Sequence, residues 1–63
     1  MIDTKRIKKA MLQQGITTQQ MCKELHISYH ALILILDKDY PPTWEHLNGI
    51  AQMIGCNAIE LIL

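Results

Sequence analysis

Apolar residues at Ile7, Ala10 and Met11 stand among polar ones at the three-and-four spacing that turns one side of a helix toward a core. They predict a first helix over about residues 4 to 14, with Gly15 as its stop. Thr17 is placed to cap a second helix over 18 to 25, and Gln20, three residues on, completes the pattern of a capping box. After a short turn at His26-Ile27, Ser28 caps a third helix over about 29 to 37, and so brief a joint makes the two helices cross steeply. The apolar run from Ala31 to Leu36 has no decisive period by itself, and the Ser28 cap and flanking helices favour helix there.

Residues 37 to 42 are polar and end in Pro41-Pro42, which cannot extend a helix, so they predict a loop. Thr43 caps a fourth helix over 44 to 54, with Leu47, Ile50, Ala51 and Ile54 as its inward stripe and Gly55 as its close. Asn57 caps a last helix over 58 to 63. The expectation is an all-α chain of five short helices.

Composition narrows the picture. With 63 residues, there is room for one domain, 1-63, and one small core. A content of 49% apolar and 19% charged residues is that of a folded domain, not of a collagen-like or disordered chain. The longest apolar run is far short of a membrane span, and residues 1 to 15 hold no signal-like stretch, so a soluble, cytoplasmic protein is expected. Cys22 and Cys56 then read as small buried hydrophobes, not a disulfide. A core this small, without staple or metal, makes help from a partner chain plausible.

The stretch from Gly15 through Thr17-Thr18-Gln19-Gln20-Met21-Cys22, His26 and Ser28, followed by Leu32 and Ile35, resembles the helix-turn-helix of the lambda-repressor and Cro (XRE-like) family. The likeness continues through Pro42-Thr43, Leu47, Ile50-Ala51, Ile54-Gly55 and Glu60-Leu61 and covers roughly residues 5 to 62. It implies a five-helix lambda-repressor-like fold in which the third helix enters the DNA major groove, the second crosses the backbone, and dimers read two half-sites. Four departures stand out. Cys22 replaces a small residue, and His26 replaces the glycine of the tight turn. Met11 and Leu36 stand where many members pair an arginine with a glutamate. Replacing such a pair by two apolar side chains is often neutral or stabilising.

The family's base-reading positions fall here on Tyr29, His30, Ile33 and Leu34. Spacing puts Leu32, Ile35 and Leu36 on the opposite face, so the helix reads as apolar on both sides. Bases are read by paired hydrogen bonds, which only Tyr29 and His30 can make; Ile33 and Leu34 offer contact to a thymine methyl. Asp37 and Asp39 flank Lys38 where a phosphate would be repelled. A formal net charge of +0 and a pI near 6.8 also fall below the usual DNA-binding range. Lys5, Arg6, Lys8 and Lys9 are the main basic cluster, read as a solvated face. The N-terminus of the second helix, Thr17 to Gln19, still offers amides to a phosphate.

Three uses of the outward apolar face remain open: DNA reading, burial in a homodimer, and docking of Tyr29, Ile33 and Leu34 into a partner protein's groove. Ile33 packing under the 37 to 42 loop is a further option. Cys22, His26 and His30 are spaced four apart, but the turn at Ile27-Ser28 breaks their line and no metal is expected. No catalytic constellation is present, so no enzyme activity, cofactor or small-molecule substrate is expected. Trp44 reads as a core-edge residue covering the loop. Ile59, Ile62 and Leu63 are more apolar than packing on one side requires and read as a self-association surface, since members of the family often dimerise through this end.

Taken together, these residues and the resemblance imply a small phage-type or mobile-element transcriptional regulator, binding operator DNA as a dimer. Its contact set is Thr17, Thr18, Gln19, Ser28, Tyr29, His30, Ile33, Leu34 and Lys38. The alternative is a protein-interaction module, an antirepressor or modulator, whose third helix binds a repressor-type protein in a homodimer or heteromer.

Overall fold

A computed structural model describes all 63 residues. Four α-helices follow one another: α1 (Thr4–Gln14), α2 (Thr18–Leu25), α3 (Tyr29–Lys38) and α4 (Trp44–Ile54). Each starts at a side-chain cap. Asp3, Thr17, Ser28 and Thr43 each accept a hydrogen bond from the backbone N–H three residues on, at 3.1 Å, which satisfies one of the donors a helix start leaves free. Gly15 and Gly55 close α1 and α4 in the left-handed conformation, with φ of 69° and 85°.

The fifth helix expected over 58 to 63 is replaced by a four-residue 3-10 turn, Ala58–Leu61. Ile62 leaves the turn in extended conformation and forms an antiparallel bridge with Ile2. The Asp3 N–H donates to the Leu61 carbonyl at 2.7 Å and the Leu63 N–H donates to the Met1 carbonyl at 3.2 Å. These bonds engage backbone groups near the end of the chain, so the last residues pair across the molecule instead of winding on.

The core gathers thirteen buried side chains from every element, among them Ile7, Met11, Met21, Leu32, Ile50 and Leu61. Burying a large aliphatic side chain stabilises by roughly 1.5–3 kcal/mol each, which is how a chain of this size reaches a defined fold. Helix α4 runs through the middle, packed on α1, α2 and the terminal turn, while α3 lies across α1 and α2. Gln14 reinforces the α1–α4 contact, its side-chain amide donating to the Ile54 carbonyl at 2.8 Å. In α4, Gly49 gives room to the Leu25 side chain of α2, whose terminal methyl fills the space a Cβ would need.

Cys22 and Cys56 are half-buried at the margin of the core, not enclosed by it. Trp44 departs further from expectation. It is 58% exposed at the start of α4, more open than a core-edge residue. No helix is long and apolar enough to cross a membrane.

Candidate nucleic-acid interface

The turn that delivers α3 is built from two local devices. At the start of α2, Thr17 accepts from the Gln20 N–H at 3.1 Å and Gln20 Oε1 accepts from the Thr17 N–H at 2.8 Å, a complete capping box. The next amides, those of Thr18 and Gln19, lie outside the helix's own ladder of bonds and at its positive end. At the close of α2, His26 takes the left-handed conformation with φ 56°, where glycine is cheapest. The backbone N–H groups of His26 and Ile27 both donate to the Cys22 carbonyl, which turns the chain sharply enough for Ser28 to cap α3 at once.

Helix α3 has a core face of Leu32, Ile35 and Leu36, all buried. Ser28, Tyr29 and His30 are exposed where it begins, and Asp37 and Lys38 where it ends. Between these ends the expected outward greasy face is much reduced, because Ile33 and Leu34 are both half-buried. Ile33 lines an open hollow against α1 with Met11, Leu12 and Leu36. Leu34 lines another with Tyr40, Pro41, Pro42 and His46. The helix runs on to Lys38, so the expected loop of 37 to 42 begins only at Asp39, and it is Leu34, not Ile33, that lies beside its Tyr40-Pro41-Pro42 segment. The physical reason is that α1 packs on one side of α3 and the proline loop folds back on the other. The loop is fastened there by the Asp39 and Tyr40 N–H groups, both donating to the Leu34 carbonyl.

The electrostatics also differ from those expected of separate surface charges. Lys8 Nζ meets Asp37 Oδ1 at 2.7 Å, joining α1 to the last turn of α3. Arg6 meets Glu60 Oε1 at 3.1 Å. Two of the four cations of the first helix are thus tied to acids of the same chain, and Lys5 and Lys9 keep theirs free of ion pairs. The Asn57 backbone N–H donating to Glu60, and then the Arg6 guanidinium, hold the Glu60 carboxyl below the usual glutamate range. Asp39 closes α3 in the left-handed conformation, φ 54°, a position better suited to glycine or asparagine.

Thr17, Thr18, Gln19, Ser28, Tyr29 and His30 thus belong to the first turns and caps of two adjoining helices, with Lys38 at the far end of α3. Ile59, Ile62 and Leu63 lie elsewhere, exposed around the terminal bridge together with Met1. No three His, Cys, Asp or Glu side chains come close enough to hold a metal ion, and the turn separates Cys22 from His30. Sequence reasoning missed both ion pairs. Lys8 and Asp37 carry no local signal of their partnership, whereas Asn57 followed by Glu60 was a legible capping pattern for one member of the other pair.

A family model for the Cro/C1-type HTH DNA-binding domain matches residues 6–62. No curated protein and no solved structure matches the chain.

Proposed function

The chain belongs to the family of Cro/C1-type HTH DNA-binding domains, and on that premise we propose that it is a small transcriptional regulator of phage or mobile-element type acting in the cytoplasm. It binds duplex DNA as a homodimer and represses by occupying its operator. The observation that carries this reading is the exposed pair Tyr29 and His30 at the start of α3, in the helix that follows the capped α2 across the tight turn at His26. The amides of Thr18 and Gln19 take a phosphate, which fixes the approach of the domain. Tyr29 and His30 then face base edges, with Ser28 and Lys38 on the backbone at either end of the helix.

Ile33 and Leu34 add at most the contact of a partly covered methyl to thymine. Ile59, Ile62 and Leu63 join two copies so that two α3 helices meet neighbouring half-sites. The test is a gel-shift series on a randomised duplex pool at rising salt. Binding that enriches a sequence and weakens steeply with salt supports the proposal; no shift at low salt overturns it.

A second reading has its own observation. Asp37 and Asp39 place carboxylates at the far end of α3, and the chain as a whole carries no net charge. An antirepressor or modulator that docks a repressor-type protein through α3 would have that charge pattern. Such a contact enriches no sequence from the pool, which separates it from DNA binding in the same series.

A further inference from the structure

Helix α3 carries a carboxylate where its own backbone disfavours one. Asp37 stands in the last turn, beside the negative end of the helix dipole, where Lys38 is the one basic residue of the turn and makes no ion pair with it. Its partner comes from another element: Lys8 of α1, at the 2.7 Å of a strong charge-assisted hydrogen bond. Met11 and Leu36 lie next to this pair on the same two helices, both buried. The α1–α3 joint is therefore apolar inside and ionic outside.

The two halves of that joint do different things. Packing of the buried Met11 and Leu36 sets the broad crossing of the two helices, ridge into groove. The ion pair is directional, and it acts at one end of α3 while Tyr29 and His30 stand at the other. Seven residues from Asp37 to His30 make a lever of roughly 10 Å, so a tilt of about ten degrees moves His30 by about 2 Å. A hydrogen bond to a base edge does not survive such a shift.

We infer that Lys8 is a positioning residue for base recognition, holding the pitch of α3 through Asp37 without touching DNA itself. This role rests on the DNA-binding reading above. Both side chains are about half exposed, 49% and 47%, so the pair adds little to global stability and its effect is read in discrimination instead.

The experiment uses the duplex that the native chain enriches from a randomised pool, and a scrambled duplex of the same length. Lys8→Gln and Asp37→Asn should each stay folded by circular dichroism and lower the ratio of the two affinities by about threefold or more. The exchange Lys8→Asp with Asp37→Lys should restore the ratio, and Lys8→Arg should hold it near the native value. If Lys8 is a phosphate ligand instead, Lys8→Gln weakens both duplexes equally and lowers the salt slope by about one, and the role falls. It falls equally if neither single variant changes the ratio, or if the exchanged pair and Lys8→Arg both stay low. A native chain that binds no duplex overturns the DNA-binding reading and this role with it; a native chain that discriminates normally beside unaffected variants overturns this role alone.

Discussion

The Arg6 guanidinium donates to the Glu60 carboxylate at 3.1 Å across 54 residues of sequence, tying the first helix to the terminal turn. Glu60 also accepts from the Asn57 N–H at 3.0 Å, so one carboxylate caps its own turn and anchors a distant helix. Its pKa lies below the ordinary value in the folded chain, first through the Asn57 bond and then through Arg6. A lowered folded pKa means the contribution is present above the unfolded value and is lost as pH falls through the folded one. The melting temperature of the native chain should exceed that of Glu60→Gln at neutral pH, with the gap closing on acidification through and below the usual glutamate range. A gap that ignores pH would contradict this.

Thr17 closes the capping box that starts α2. Thr17→Ala should cost about 1 kcal/mol of stability, or a fall of roughly 4–8 °C in melting temperature for a domain of this size. Thermal unfolding by circular dichroism measures it. Gln20→Ala removes the reciprocal bond and should lose less, since it leaves the Thr17 acceptor in place.

His26 and Asp39 hold left-handed backbone without being glycine. Left-handed geometry costs a side-chain-bearing residue roughly 1–2 kcal/mol, partly offset here by the entropy a glycine would lose. His26→Gly and Asp39→Gly should therefore each stabilise the fold, by up to about 1 kcal/mol. Urea unfolding midpoints that fail to rise would count against the assignment of strain.

Gly49 is a helix-interior glycine with a packing reason. Because Leu25 occupies the place of its missing Cβ, Gly49→Val should destabilise by about 1–3 kcal/mol through overcrowding of the α2–α4 contact. Leu25→Ala in the same chain should relieve part of that cost, so the double variant loses less than the sum of the singles.

His30→Ala should reduce affinity for an enriched duplex by about 1–3 kcal/mol and relax preference at the base it faces. Its effect on a scrambled duplex should be small. Lys38→Ala, by contrast, should weaken both duplexes alike. Competition gel shifts distinguish the two patterns.

The α-helices were legible because their ends are written locally: Thr17, Ser28 and Thr43 before a helix, Gly15 and Gly55 after one. The stripe of Leu47, Ile50, Ala51 and Ile54 likewise needed only its own spacing, and all four are buried. What escaped was set between elements distant in sequence. The terminal segment has a legible capping pattern in Asn57 and Glu60, yet whether it winds or pairs depends on Ile2, sixty residues away. The exposure of Ile33 and Leu34 depends on how close α1 and the proline loop come to α3, which no periodicity within 29 to 38 encodes. Tyr29 and His30 could be singled out because the resemblance to the helix-turn-helix family assigns its base-reading positions to them, and both are exposed.

The bridge between Ile2 and Ile62 brings opposite extremities of the polypeptide side by side. A fluorescent or affinity label fused before Met1 would consequently emerge from the same corner as one fused after Leu63, and either would crowd the cluster of Ile59 and Leu63. By the same geometry, a short glycine spacer should sew head to tail into a closed ring with little distortion, and a new opening cut near Pro41 would leave all four helical segments whole.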